Sequence, residues 1–219
     1  MKSHDLTRLG GLAAVVGGVV ILFCDVLGLL LFDFDAAFSE VASTGAWIPW
    51  SLAYLSGLVL VLCGLVALYV HQSEAAGVFG LIAFLLAFTG TAIVVGGFWD
   101  NAFLMPSLAI EAPEFLDAET VSGPADFGFL LGNILCFGGL ALFGLSALRA
   151  GVYPRLASIL FAAGAAIAFL PLPALTIVLD IALIWFGLSL LGNVRPENRT
   201  SPPARNRASV NDPEPARPS

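Results

Sequence analysis

Six stretches of mostly apolar residues, near 9–32, 48–70, 77–98, 126–148, 154–171 and 173–192, occupy most of this chain. Each has about the length that a ~30 Å hydrocarbon layer demands of an α-helix rising 1.5 Å per residue. Within such a layer every backbone N–H and C=O must be satisfied by the chain itself, so only helices and closed barrels qualify. The alternating pattern of a barrel strand is absent from all six stretches. The expected fold is therefore an all-α integral membrane protein. It comprises a six-helix transmembrane bundle over 9–194, an N-terminal segment 1–8 and a C-terminal tail 195–219. Composition agrees, since 58% of residues are hydrophobic and 11% charged, against about a quarter charged in soluble domains. A soluble globule is excluded. The first stretch, behind Lys2 and Arg8, could pass for a secretory signal. Its length, Asp25 within it and the lack of a small-x-small cleavage site predict that it is retained as a helix.

Orientation follows from the basic residues. Lys2 and Arg8 precede the first helix, Arg149 and Arg155 flank the connection between the fourth and fifth, and Arg195, Arg199, Arg205, Arg207 and Arg217 follow the sixth. Basic residues in short flanking segments stay in the cytoplasm, so the expectation is a cell-membrane protein with both termini cytoplasmic. The outer loops then hold carboxylates and no base, among them Asp33, Asp35, Glu40, Asp100 and Asp117. Trp47, Trp50 and Trp99 fall at predicted outer boundaries and Tyr69 and Tyr153 at inner ones, as interfacial aromatic anchors do. Pro154 suits the first turn of the fifth helix, and Pro171-Leu172-Pro173 predicts a tight hairpin that sets the last two helices antiparallel. The Pro-, Arg-, Asn- and Ser-rich tail buries too little to order itself and is expected to be a disordered, solvated, topology-setting segment. Its Asn198-Arg199-Thr200 glycosylation sequon is read as a chance match on the cytoplasmic side.

Small residues indicate where helices approach, because lipid supplies no hydrophobic drive between them. Gly10, Ala14 and Gly18 form a stripe on the first helix that continues through Ile21 and Asp25 to Gly28. The third helix carries Gly80, Ala83, Ala87, Gly90, Val94 and Gly97. The fourth carries Gly132, Cys136, Gly139 and Phe143 with Asn133 at the margin, and the sixth has Gly187 two turns below Asp180. A compact bundle is expected. The outer loop 99–125 contains Pro113 and Glu114, a good helix start. Apolar residues such as Phe103, Leu104, Ile110 and Phe115 there alternate with acids. This predicts a short interfacial helix that packs at the surface or acts as a lid.

Asp25 and Asp180 carry the pointed chemistry. An Asp near the centre of a membrane helix costs about 2.5–3.5 kcal/mol on insertion scales and usually faces the interior with a function attached. Counted from the outer boundary, Asp25, Asn133 and Asp180 all lie about 10 Å deep, which predicts one polar site if their helices are adjacent. Arg155, at the second position of the fifth stretch, is the one base within a predicted span, and no Arg, Lys or His falls near the middle of any. The acids are then neutral, share a proton, bind a small cation or meet water, and a protonated Asp can also serve as glue between helices.

Signatures of catalysis fail on missing residues. Gly144-Leu145-Ser146-Ala147 resembles the nucleophile stretch of rhomboid intramembrane proteases. The resemblance implies a serine nucleophile with a histidine on a later helix, but His4 and His71 fall at the cytoplasmic margin, so the stretch is read as small-residue packing. Cys24, Cys63 and Cys136 stand alone on separate helices and are expected to act as small apolar fillers. Haem-ligating histidines, a phosphate-binding glycine loop and a zinc motif are missing. No enzyme activity, cofactor, metal or nucleic-acid partner is expected. Two functions remain. In the first, the chain is a non-catalytic membrane subunit or scaffold, partnered by the bilayer and by another membrane protein or a second copy. In the alternative it is a proton- or cation-coupled small-solute carrier or channel component using Asp25 and Asp180. Three helices per half would fit an inverted repeat, though helices one to three and four to six share no visible sequence pattern.

Overall fold

The computed structural model describes residues 3–118, 123–170 and 175–193. The Pro171–Pro173 turn and the tail from 195 lie outside the described residues. Eight helices run in order: α1 Ser3–Leu31, α2 Phe38–Ala42, α3 Trp47–Phe103, α4 Met105–Glu111, α5 Pro113–Leu116, α6 Pro124–Ala150, α7 Arg155–Ala168 and α8 Thr176–Asn193. There is no strand among the described residues. Three stretches, Thr7–Leu31, Trp47–Phe103 and Phe127–Ala150, are long and apolar enough to cross a membrane, as expected of a membrane protein.

The fifth expected helix is shorter than the sequence suggested. α7 has 14 residues, about 21 Å at 1.5 Å per residue, and α8 has 18. Two prolines account for the length of α7. Pro154 takes the extended N-cap position (φ −55°, ψ 129°) rather than the first turn. At the other end Pro171 disfavours helical geometry at Leu170.

α3 also departs from expectation. Residues 71–76 are helical rather than a connecting loop, and the chain reverses at one residue, Gly77 (φ 57°, ψ −151°). Only glycine adopts such a φ without strain, so the turn needs no further residues. The two arms, α3a (47–76) and α3b (78–103), lie antiparallel. The Trp47 indole donates to the Asn101 carbonyl at 2.8 Å, Tyr54 stacks on Phe98 at 4.1 Å and Tyr69 on Phe84 at 4.4 Å.

Six rods then close a ring in chain order. α1 packs on α3a, α3b on α6, α6 on α7, α7 on α8, and α8 returns to α1. Glycine sets the spacing. A Cβ on Gly90 would lie 2.0 Å from the Cys136 amide nitrogen, and one on Gly139 would lie 2.3 Å from that of Ala87, so α3b and α6 touch backbone to backbone. Gly132 faces Ile93 on the same seam, whereas Gly97 meets open space and lies beyond it. On α1 the expected single stripe divides. Gly10, Ala14 and Gly17 face Ala67, Gly64 and Gly57 of α3a, while Gly11 and Gly18 face Gly187 and Ile184 of α8. Neighbouring residues on a helix point about 100° apart. The doublets Gly10-Gly11 and Gly17-Gly18, seven residues apart, therefore flatten two sides of α1 at once.

The ring is filled. Leu65, Leu68, Phe143, Phe161, Phe186 and Leu190 are fully buried, with Phe186 stacked between Tyr153 at 4.6 Å and Phe161 at 4.8 Å. At the end of the ring that carries α2, a smaller second core gathers Phe32, Val41, Ala42, Trp47 and Ala109. The helix expected within 99–125 is split into α4 and α5, and an unforeseen α2 packs beside them. Asp117 at the end of α5 binds α2 by accepting from the Ser39 amide at 2.9 Å and the Ser39 hydroxyl at 2.6 Å.

Candidate functional site

Asp25 reaches its partners because two seams of the ring converge on it. On the α1–α8 seam Gly18 lies against Ile184 and the Asp180 carbonyl, and Gly187 against Val15. Continuing this antiparallel register sets Asp25 opposite the turn of α8 that runs from Thr176 to Asp180. Residues four apart share a helix face, so both side chains of that turn face Asp25. On the α1–α3a seam Ile21 packs at Gly57, which sets Asp25 level with Tyr54. The site is thus a three-helix junction.

The Thr176 hydroxyl donates to Asp25 Oδ2. The Tyr54 hydroxyl and the Asp180 carboxyl are electrostatic neighbours of Asp25. Asp180 is buried, and its Oδ2 has no hydrogen-bond partner. An ionised carboxylate only accepts hydrogen bonds. A carboxyl-to-carboxyl hydrogen bond therefore contains a proton. The nearest basic residues along α1 and α3a, Arg8 and His71, are each 17 positions from Asp25 and Tyr54 respectively, about 25 Å of helix. Among the described residues neither of these bases reaches the pair.

The outer side of the junction is closed by aromatic rings. Trp50 donates its indole N–H to the Cys24 carbonyl, beside Asp25, at 2.8 Å and lies against Gly28. Phe32 at 5.3 Å, Trp47 at 5.2 Å and Tyr54 at 5.5 Å surround it. One turn from Tyr54, the buried Ser51 hydroxyl has no hydrogen-bond partner.

Of the three residues singled out by depth, the structure brings Asp25 and Asp180 together and leaves Asn133 apart. Asn133 lies on α6, which packs on α3 and α7 and not on α1 or α8, and its amide donates to the Phe129 carbonyl of its own helix at 2.8 Å. Equal depth is one coordinate; position around the ring is the other, and it puts α6 across the bundle. Tyr54 and Thr176 were missed. Extending the depth rule to hydroxyl groups would have found both, because Tyr54 sits one and a half turns inside the outer boundary and Thr176 one turn from Asp180.

Elsewhere the polar groups are structural or unpaired. Ser146 makes no hydrogen bond, so no serine–histidine pair forms. A Cβ on Gly144 would come within 2.7 Å of the Ala162 amide nitrogen, in keeping with the packing reading of that stretch. Cys24 and Cys136 are buried and free, and Cys63 is exposed and free. Among the described residues no three His, Cys, Asp or Glu side chains converge. Comparison with known protein families, curated proteins and solved structures finds no match.

Proposed function

We propose that this chain is a multi-pass protein of the cell membrane, with six membrane-embedded rods and both termini cytoplasmic, whose Asp25–Asp180 pair takes up and releases one proton. In this reading it is the proton-coupled part of a small-solute carrier or channel. The supporting observation is the juxtaposition of two carboxyls at a junction that no base of the described residues along α1 or α3a reaches. One proton makes the contact attractive; its loss puts two anions side by side in a medium that solvates them poorly. Thr176 supplies a hydroxyl donor to Asp25, with the Tyr54 hydroxyl beside it, which favours the proton on or near Asp180. The bare Oδ2 of Asp180 offers a place for water or a substrate group to exchange that proton. A proton suits the site better than a metal ion, because among the described residues no three His, Cys, Asp or Glu side chains converge.

The test combines spectroscopy with flux. Infrared difference spectra between acidic and alkaline buffer should show a protonated-carboxyl C=O band in the wild type that disappears in Asp25→Asn and in Asp180→Asn. Proteoliposomes holding a pH-sensitive dye should show proton movement that both variants lose. Absence of the band in the wild type would sink the proposal.

A scaffold role is favoured by a different observation: the ring is plugged by Phe143, Phe161 and Phe186, all fully buried. There the shared proton acts as glue between α1 and α8, and the partner is a membrane protein or a second copy. This reading predicts the infrared band without any flux.

A further inference from the structure

The inner end of the bundle holds a second polar cluster that the carboxyl pair does not explain. Gln72, the chain's single glutamine, is fully buried, yet both its Nε2 and its Oε1 lack hydrogen-bond partners. Its neighbour His71 has a buried Nε2 in the same condition, as does the Ser146 hydroxyl on α6. Contacts of their neighbours place these groups close together. Tyr153 donates to the Leu68 carbonyl at 2.9 Å, one helical turn before Gln72, and its ring lies 5.6 Å from that of His71. One turn after Gln72 is Ala76, which packs against Gly80, and the Cβ position of Gly80 is 2.9 Å from the Ser146 hydroxyl oxygen. Two donors and an acceptor on Gln72, a ring nitrogen and a hydroxyl thus surround the meeting of α3a, α3b, α6 and the connection that carries Tyr153.

We propose that this cluster is a binding site for ordered water, held by Gln72, His71 and Ser146 at the inner end of the ring. Four buried polar atoms left dry would be a strong anomaly, since buried polar groups in folded chains find protein or water partners. Buried waters are found where two to four such atoms converge. A primary amide is suited to the task because it can donate to one water and accept from another. The site is independent of the proposed proton pair, which lies 18 residues away along α3a, from Tyr54 to Gln72, about 27 Å.

Because Gln72 is the only glutamine, protein labelled with ¹⁵N at glutamine side chains gives one side-chain NH2 signal in detergent micelles. The expected result is a direct magnetisation-transfer contact from water to both amide protons, together with a changed amide shift in Ser146→Ala, which removes one wall of the same water site. No water contact at the Gln72 amide would overturn the proposal. An unchanged amide shift in Ser146→Ala would also overturn it as a shared site. Gln72→Met, which keeps the volume and removes the polar atoms, gives a second measurement. A hydrated site predicts a lower melting temperature in the variant, whereas a dry one predicts a gain, because an unpartnered buried amide has been removed.

Discussion

The α3b–α6 seam and the α1–α8 seam are both held by glycine, but only one carries chemistry. On α3b–α6, Gly90 and Gly139 bring two backbones into contact, and the polar groups that result are the Thr91 hydroxyl and the Cys136 thiol at 3.6 Å. The α1–α8 seam is somewhat looser, with Gly18 against the Ile184 Cγ1 at 2.9 Å rather than against backbone, and it brings two carboxyls together. Glycine sets how closely helices approach. What that approach creates depends on which side chains share the level, and on this seam they are acids with no cation to pair with.

The largest expected effect separates the two seams by packing. Gly90→Ala places a Cβ on the Cys136 backbone at 2.0 Å, where nothing can yield, so the seam must separate. Overpacking costs about 1–3 kcal/mol and more where backbone must move, and about 3 kcal/mol or greater is expected here. In Gly18→Ala the Ile184 side chain can rotate, which predicts about 1 kcal/mol. Denaturation in detergent measures both; equal losses would show the seams to be equally tight.

The next effect separates the two by chemistry. Asp25→Ala leaves the Thr176 and Tyr54 hydroxyls and the Asp180 carboxyl without a common partner. Only Asp180 of these is buried, so at about 1–3 kcal/mol for a stranded buried group a loss of about that size is expected. Asn133 satisfies only its own helix, so Asn133→Ala should stay within about 0.5 kcal/mol. A comparable loss in both variants would mean that Asn133 has a partner across the ring.

Alkaline pH should sharpen the same contrast. Wild-type thermal stability should fall as the shared proton is withdrawn, because two adjacent anions repel. Asp180→Asn carries a permanent amide donor in place of the proton, so its melting temperature should change less over the same range. Parallel curves would show that the Asp25–Asp180 contact does not govern the alkaline response.

These contrasts also mark what the sequence could convey. Apolar length located α1, both arms of α3, and α6, because spanning a hydrocarbon layer is a demand on length alone. It missed the continuity of α3, since a single positive-φ glycine, Gly77, can replace an entire loop. It overestimated α7, where prolines at both ends prevail over hydropathy. Counting along the helices put Asp25 and Asp180 at one level, and the structure sets them beside each other. Depth could not reject Asn133, because the order of rods around the ring is fixed by contacts between distant segments. The division of the α1 stripe was readable in principle from the doublets Gly10-Gly11 and Gly17-Gly18, whose members must face different neighbours.

The smallest effect belongs to the outer cap, which neither seam controls. The amide and hydroxyl of Ser39 both donate to Asp117, and these bonds to the charged form hold its carboxyl below the ordinary value of 3.8. A carboxyl depressed in the folded state stabilises the fold above its unfolded value, and that contribution is lost as pH falls through the folded value. The α2–α5 contact should therefore be fully present at neutral pH and fade only below about 3.8. Asp117 is exposed, so solvent screens the interaction, and the melting temperature of the whole protein should barely register the change. The residue itself should report it. Ser39→Ala removes the hydroxyl donor and keeps the amide, so the Asp117 carbon-13 carboxyl titration should move part of the way back toward 3.8. An unmoved midpoint would mean that the hydroxyl bond is not made in solution and that α2 is held by the aromatic cluster around Trp47 alone.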